Sequence, residues 1–303
     1  MIQLTILGCH SATPRADAYP TAQVLDIKGE LMLIDCGEGT QVQLRKQKVK
    51  FSRLSHIFIS HLHGDHYLGL IGLLSTFSLL SRTAELHIYA PKGLEEILKL
   101  QFKVGHSYMS YPLIFHTLAS SEPEMILDNE KLTVETIPLD HRIYTNGFLF
   151  KAKVGDRKLL IDKVLDLNID KAYYKSIVKG KDVENRDGKL INNKDITEDP
   201  KPAHSYAFCS DTAFKPNIVP QITGVSLLYH ESTFLEEQEH LCKKTKHSTA
   251  KQAGIMAKKA QVHKLILGHF SARYKDLSLF EKEAKVVFNN AEIAEAGKIF
   301  RCD

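Results

Sequence analysis

Four side chains of metal-ligand type stand within six residues of this chain, at His61, His63, Asp65 and His66. The apolar run at 57–60 before them is typical of a strand, and the segment 67–82 after them is typical of a helix. A loop between two such elements can direct all four side chains into one small volume, and Gly64 lets it tighten without a Cβ clash. Imidazole nitrogens and carboxylate oxygens suit zinc, manganese or iron better than calcium. The motif therefore predicts a transition-metal site.

Three further candidate ligands, His141, Asp211 and His269, lie far along the chain, each just after a short apolar run. A single residue of this kind is more often an ordinary surface or core residue. Short strands alternate with helical patterns over the 303 residues, which predicts an α/β layered fold with helices outside paired sheets. The charged stretch 156–203 has few long apolar runs, and we expect it to be an insertion that leaves the main core.

Composition excludes several classes of protein. The 43% hydrophobic content allows a sizeable core, and the net charge of +4 is too mild to indicate an anionic partner by itself. The five cysteines are odd in number and form no CxxC pair, which favours reduced thiols in a cytoplasmic protein. No run reaches the roughly 18 apolar residues of a membrane span. No basic leader precedes an apolar run either, so neither a membrane segment nor a secretory signal is expected.

The His-x-His-x-Asp-His motif after a strand resembles the signature of the metallo-β-lactamase family. This resemblance implies an αβ/βα sandwich of two mixed sheets, with helices on both outer faces and a metal site at one edge. Further segments, in order, resemble motifs of the ribonuclease Z family: 7–9 with 13–14, 35–41, 66–74, 230–234, 247–250 and 269–274. The similarity spans essentially the whole chain as one domain, 1–303.

The narrower resemblance implies a zinc-dependent endoribonuclease that removes the 3′ trailer from precursor tRNA and leaves a 3′-hydroxyl. One alternative is another hydrolase of this fold, acting on small phosphodiesters, lactams or thioesters. A second is a tRNA-binding protein that has lost catalysis, although such proteins usually lack the metal ligands. By resemblance we also expect a homodimer.

The ribonuclease Z resemblance further implies two zinc ions per subunit. His61, His63 and His141 would bind the first ion, Asp65, His66 and His269 the second, and Asp211 would bridge them. Asp35 and Asp140 could hold imidazoles in register. For Asp35, a role in stabilising a turn beside Gly37 is equally open.

The same resemblance assigns roles in catalysis. Asp65 would orient the attacking water and take its proton, His247 would be the general acid, and Glu231 would orient His247. Ser271 and Arg273 would clamp a phosphate. The plain alternative is that His247 and Arg273 belong to ordinary basic surface loops.

In the ribonuclease Z family a protruding arm grips the tRNA body, and the insertion 156–203 occupies the corresponding place. Lys175, Lys179 and Lys181 would contact backbone phosphates without reading sequence. The family usually has a Gly-Pro pair before the Lys-Gly step, and this chain has Asp170-Lys171-Ala172 instead. A merely solvated charged surface is the alternative.

Overall fold

The computed structural model describes residues 2–302, and two seven-stranded sheets lie within them. The strands of the first sheet are β1 (Ile2–Gly8), β2 (Ala22–Ile27), β3 (Glu30–Ile34), β4 (Leu54–Phe58), β5 (Leu86–Pro91), β6 (Leu113–Leu118) and β18 (Ile299–Cys302). The strands of the second sheet are β7 (Met125–Asp128), β8 (Leu132–Pro138), β9 (Asn146–Ala152), β14 (Ser205–Cys209), β15 (Leu227–Glu231), β16 (Lys264–Gly268) and β17 (Ala291–Ile293).

Both sheets are mixed, with a parallel and an antiparallel half. The first has the order β18-β1-β2-β3-β4-β5-β6 and is parallel from β3 to β6. The second has the order β17-β16-β15-β14-β9-β8-β7 and is parallel from β14 to β17. In each parallel half the carboxyl ends of neighbouring strands open at the same edge, and ligands are commonly bound at such edges.

Helices cover the outer faces of the sheets. The helices between strands of the first sheet are α1 (Thr40–Lys46), α2 (Gly64–Tyr67), α3 (Leu70–Leu79) and α4 (Leu94–Val104). Those that follow β14 are α8 (Val219–Ile222), α9 (Glu239–Thr245), α10 (Ala250–Lys259) and α11 (Ser278–Lys285). Short 3₁₀ turns occupy Phe51–Arg53, Pro216–Ile218 and Glu236–Gln238. No helix in residues 2–302 combines the length and the apolar character needed to cross a bilayer.

Alternation along the strands builds two apolar layers. In β3, Met32 and Ile34 face the core shared by the two sheets, whereas Leu31 and Leu33 face the helices outside the first sheet. Because both faces are covered, such strands read as continuous apolar runs instead of alternating ones. The predicted sandwich of two mixed sheets with outer helices is confirmed.

Residues Lys153–Ala203 form a second compact unit, and the rest of the chain forms the first. The second unit contains β10 (Lys158–Leu159), α5 (Ile161–Asp166), a 3₁₀ turn at Lys171–Tyr173, α6 (Tyr174–Ile177), β11 (Val183–Glu184), β12 (Leu190–Ile191), α7 (Asn193–Ile196) and β13 (Thr197–Glu198). Val164, Ile177 and Ile196 are fully buried in its own small core. The insertion predicted at 156–203 lies within these bounds, and its role as an arm stays a prediction.

The observed elements differ from the predicted ones in places. The predicted strand 57–60 is shifted, since β4 runs from Leu54 to Phe58 and leaves 59–63 as a loop. The single helix predicted at 67–82 is two helices, α2 and α3. Sequence patterns gave no sign of the edge strands β7, β17 and β18, which are short or partly exposed.

Candidate metal centre

The loop between β4 and α2 carries four of the predicted ligands. The His66 amide donates to the His63 carbonyl at 3.0 Å, which closes the loop on itself. The His66 carbonyl accepts a hydrogen bond from the Cys36 amide at 2.8 Å, which joins the loop to the segment that follows β3. The ligand loop is therefore held by backbone contacts to a neighbouring strand end.

Close backbone packing at this point requires glycine at two positions. A Cβ on Gly37 would lie 2.5 Å from the Asp65 carbonyl oxygen, and a Cβ on Gly69 would lie 2.1 Å from the Gly37 carbonyl oxygen. A Cβ on Gly64, where the sequence predicted the need, would meet only the flexible Leu68 side chain, at 2.7 Å. The requirement for glycine therefore lies outside the loop, at Gly37 and Gly69, where two backbone segments pack closely.

A first set of ligand atoms consists of three imidazole nitrogens and one carboxylate oxygen. His63 Nδ1 lies 3.0 Å from His61 Nε2 and 3.2 Å from His141 Nε2. Asp211 Oδ2 lies 3.6 Å from His61 Nε2 and 3.7 Å from His141 Nε2. The loop histidines thus meet two residues from distant parts of the chain.

A second set uses the other oxygen of the same aspartate. Asp211 Oδ1 lies 3.2 Å from His66 Nε2 and 3.1 Å from His269 Nε2. Asp65 Oδ2 lies 3.4 Å from each of these two nitrogens. Asp211 therefore faces both sets, with one carboxylate oxygen towards each.

The spacing of these atoms fits a pair of metal ions. Tetrahedral zinc with nitrogen or oxygen bonds of about 2.0–2.1 Å separates its ligand atoms by about 3.3 Å, which is close to the distances in both sets. His66 Nε2 is buried without a hydrogen-bond partner and faces two carboxylates. Buried polar atoms are normally satisfied, and a cation between these groups would satisfy this one.

The outer nitrogens of the imidazoles are held by acceptors, which leaves the inner nitrogens free to face the centre. His66 Nδ1 lies 2.7 Å from Asp35 Oδ2, and His141 Nδ1 lies 3.0 Å from the Lys246 carbonyl oxygen. The Ser60 hydroxyl donates to Asp35 at 2.9 Å, so it accepts from His61 Nδ1 at 3.0 Å. Partners of this kind fix the tautomer and orientation of metal-binding histidines.

Three of the residues at the centre have left-handed backbone conformations. The φ angles are 55° at Asp35, 62° at Asp211 and 60° at His269. Residues other than glycine adopt such angles at an energetic cost, and they concentrate at functional sites. All three follow strand ends, where the turn directs the side chain into the centre.

The fully buried carboxylate of Glu231 holds His247. Glu231 Oε1 lies 2.8 Å from His247 Nδ1 and accepts a hydrogen bond from the Thr212 amide at 2.7 Å. Burial lowers the pKa of His247, but the attraction and hydrogen bond of Glu231 outweigh it and raise this pKa to about 9. His247 also lies within ligand range of Asp211 and His269, so it borders the second set.

The electrostatics of Asp211 and Asp140 differ. Burial alone would raise the pKa of Asp211, but His269, His66 and His61 together lower it well below its usual range. Asp140, expected to orient an imidazole, instead places its carboxylate 3.1 Å from Lys246 Nζ. The expectation that Asp140 contacts an imidazole was wrong, because His141 Nδ1 is held by the Lys246 backbone carbonyl.

A cleft of about 750 Å³ opens onto the centre, and three polar side chains of interest line it, Arg142, Ser271 and Arg273. His63, Asp65, Asp211, His247 and His269 also face this cleft. The predicted clamp residues are thus brought beside the two ligand sets. Arg142 was not singled out from the sequence, although it follows His141 directly.

Two further residues of the centre, Ser60 and Thr233, were not predicted from the sequence as site residues. Ser60 links Asp35 to His61, and Thr233 links Glu231 to His269. The only signal was position, because Ser60 precedes the histidine loop and Thr233 follows Glu231 by two residues.

The three lysines assigned to the arm lie in the second compact unit, apart in sequence from the ligand loops. Lys175 and Lys181 are exposed, and Lys179 Nζ lies 2.7 Å from Asp156 Oδ1. Their contact with nucleic acid stays a prediction.

Comparisons with known proteins find relatives over nearly the whole chain. A family model described as Anti-Pycsar protein Apyc1 matches residues 2–179. Ribonuclease Z from Bacteroides fragilis is 47% identical over 293 residues, which cover 97% of this chain and 96% of its own length. Ribonuclease Z from Bacteroides thetaiotaomicron is 45% identical over 292 residues, covering 96% of this chain and 92% of its own.

Solved structures share the fold. The human short form of tRNase Z superposes with a TM-score of 0.72 at 25% identity and covers 99% of this chain and 98% of its own. The metallo-β-lactamase fold protein YhfI from Bacillus subtilis gives a TM-score of 0.70 at 19% identity, covering 99% of this chain and 98% of its own. The second likeness bears on the fold alone.

Proposed function

Because the chain belongs to the ribonuclease Z family of metal-dependent endoribonucleases, we propose that it removes the 3′ trailer from precursor tRNA, using two zinc ions. Over residues 2–179 the chain also belongs to the family described as Anti-Pycsar protein Apyc1. The cut leaves a 3′-hydroxyl on the tRNA. The observation that carries the proposal is the Asp211 carboxylate, which has one oxygen beside each of two ligand sets.

We assign the cation ligands from the two ligand sets. His61, His63 and His141 would hold one ion, Asp65, His66 and His269 the other, and Asp211 would bridge them. Bound there, two divalent cations would lower the pKa of a water molecule and would supply positive charge that stabilises the phosphate as its negative charge grows. Imidazoles with carboxylates suit zinc, and they also accept manganese or iron.

Asp65 is our candidate for orienting the attacking water and taking its proton. Its carboxylate has one oxygen in the second ligand set, and the side chain lines the open cleft. From that position the carboxylate could accept the proton of a water held between the cations and the substrate, which is what a general base must do.

His247 is our candidate for the general acid. Glu231 holds its Nδ1, which leaves Nε2 to give a proton to the leaving 3′-oxygen of ribose. The raised pKa of about 9 keeps this imidazole protonated at neutral pH, as the role needs. The alternative, that His247 belongs to an ordinary basic surface loop, does not account for its burial against the fully buried Glu231.

Arg273 and Ser271 would bind the phosphate that is cut or its neighbour. Arginine can place two donors on one phosphate, and a serine hydroxyl adds a third. Both residues line the cleft beside His247 and Asp65. The candidate cation ligands, the candidate acid and base, and the hydrogen-bond donors for phosphate thus line one cleft.

The second compact unit, Lys153–Ala203, would bind the body of the tRNA through Lys175, Lys179 and Lys181. Lysines that reach backbone phosphates give affinity without sequence choice, which suits an enzyme that accepts many tRNAs by shape. We propose that the protein acts as a homodimer. We place it in the cytoplasm, since the cysteines of the described residues form no disulfide and a reducing compartment preserves free thiols.

The test is to map the cut on a precursor tRNA with and without a chelator. We expect a single cleavage at the 3′ end of the tRNA body, lost with chelator and restored by zinc. Bis-p-nitrophenyl phosphate is the comparison substrate for the small-diester alternative. Good turnover of this ester with no cleavage of precursor tRNA would refute the substrate assignment.

A further inference from the structure

Thr233 lies between the residue that holds His247 and a residue of the second ligand set. Its Oγ1 is 2.6 Å from Glu231 Oε2 and 2.9 Å from His269 Nδ1. Glu231, Thr233 and His269 are all buried, so water does not compete for these contacts. The hydroxyl has one proton to donate and two neighbours that could take it.

The surroundings of Glu231 decide where that proton goes. Besides the Thr233 hydroxyl, the carboxylate accepts from the amides of Thr212, Thr233 and Ser248 and from His247 Nδ1. A carboxylate that receives this many donors is ionised and can only accept. The Thr233 hydroxyl therefore donates to Glu231.

The state of His269 follows from this. With its proton committed to Glu231, Thr233 Oγ1 can only accept from His269, so Nδ1 of that imidazole carries a hydrogen. The Nε2 lone pair of His269 then faces Asp211 Oδ1 and Asp65 Oδ2, as a cation ligand must.

A similar arrangement around Asp35 reaches one histidine of each ligand set. The Ser60 hydroxyl lies 2.9 Å from Asp35 Oδ2 and 3.0 Å from His61 Nδ1. Asp35 also accepts directly from His66 Nδ1, as Glu231 does from His247. Each of two buried carboxylates thus orients one imidazole directly and another through a hydroxyl.

We propose that Thr233 is a positioning residue that fixes the tautomer of His269 and so couples the Glu231–His247 pair to one of the two cation sites. The proposal rests on the proposed cation-dependent function. It makes Glu231 a shared support, since the same carboxylate orients His247 and, through Thr233, His269. A change at Thr233 should act on one cation site and leave the other intact.

Zinc affinity of the whole protein tests this, by competition with a chromophoric chelator. Thr233→Val keeps the side-chain shape and removes the hydroxyl, and it should weaken one of two zinc ions about 10- to 100-fold. Thr233→Ser should restore the affinity. Thr21→Val is the matched control, because Thr21 is fully buried and its hydroxyl has no hydrogen-bond partner.

A second measurement does not depend on the variant folding. Long-range ¹H–¹⁵N spectra of the zinc-loaded wild-type protein should show the hydrogen of His269 on Nδ1. A hydrogen on Nε2 would overturn the proposal, as would a Thr233→Val protein that binds both ions like the wild type or loses both equally. Wild-type affinity in a Thr233→Val protein that still cleaves tRNA overturns this inference alone, whereas a wild-type protein that binds no zinc overturns the proposed function as well.

Discussion

Glu231 Oε1 lies 2.8 Å from His247 Nδ1, and Glu231 is fully buried. Its carboxylate also accepts from the Thr212 amide, next to Asp211, and from the Thr233 hydroxyl, which contacts His269. This pair joins a group suited to proton donation to the scaffold of the ligand sets. A buried charge paired with an imidazole is costly to disturb, because removal of one partner leaves the other unsatisfied.

Glu231→Gln should lower single-turnover cleavage of precursor tRNA by about 10²- to 10⁴-fold, the usual contribution of positioned acid–base groups. The amide keeps the size but loses the charge that holds His247 protonated. Binding of precursor tRNA, measured by filter retention, should change little. The control is Glu236→Gln at the surface; cleavage within about threefold of wild type in the Glu231 variant would contradict its role.

Asp65→Ala should lose cleavage by about 10²-fold or more and still bind precursor tRNA. The reason is that Asp65 lines the cleft and belongs to the second ligand set, whereas the contacts to the tRNA body are proposed for lysines of the second compact unit. Single-turnover rates and filter binding on the same preparation check both parts. Undiminished turnover would refute the role given to Asp65.

Asp211→Ala should reduce the zinc content from two ions to fewer than one per chain. Each carboxylate oxygen of Asp211 serves a different ligand set, so both sites lose a ligand at once. Elemental analysis after dialysis against a weak chelator measures the content. Asp140→Ala is the control, because its carboxylate contacts Lys246 instead of a ligand set; two retained ions in the Asp211 variant would be the contrary result.

Lys175→Ala and Lys181→Ala should raise the KM for precursor tRNA with little change in kcat, because the contacts proposed for them are to the tRNA body and not to the phosphate that is cut. Each lost phosphate contact should also reduce the slope of log affinity against log salt by about 1. Lys158→Ala, in the same unit but paired with Glu198 at 3.0 Å, is the control. An unchanged salt slope in both variants would argue for a merely solvated surface.

Acid should destabilise the fold partly through His56, whose ring stacks on His87 and Tyr89. Burial, followed by repulsion from His87 and His116, lowers the pKa of His56 to about 4. Between this value and the unfolded pKa of about 6.5, only the unfolded state gains the proton, so stability falls as pH drops through that window.

His56→Phe should therefore lose less unfolding free energy than wild type between about pH 7 and about pH 5. Urea denaturation at both pH values gives the difference, and the comparison with wild type removes the contribution of the other histidines. His240→Gln, at an exposed position, is the control. An equal loss in His56→Phe and wild type would show that His56 does not contribute.

The sequence allowed the histidine loop to be predicted because its ligands are close along the chain. His141, Asp211 and His269 each follow a short apolar run, but it was the resemblance to ribonuclease Z that singled them out as ligands. The bounds of β4 were misplaced, because residues 59 and 60 are apolar or small and buried yet belong to the loop.

Contacts that depend on the meeting of distant loops could not be read from the sequence. Asp140 was expected to hold an imidazole in register, but the neighbouring imidazole of His141 is held by the Lys246 carbonyl, 105 residues away. The roles of Ser60 and Thr233 depend on which neighbour takes a single hydroxyl proton, and this is decided by packing in three dimensions.

The division of ligands along the chain has a consequence for limited proteolysis. A nick within Lys153–Ala203 would separate His61, His63, Asp65, His66 and His141 on one fragment from Asp211, His247 and His269 on the other. Neither fragment could complete a cation site alone, because the first lacks Asp211 and the second lacks the histidine loop. Zinc retention after nicking would thus report whether the two fragments remain associated. Bound zinc would in turn stabilise their association, because each ion takes ligands from both.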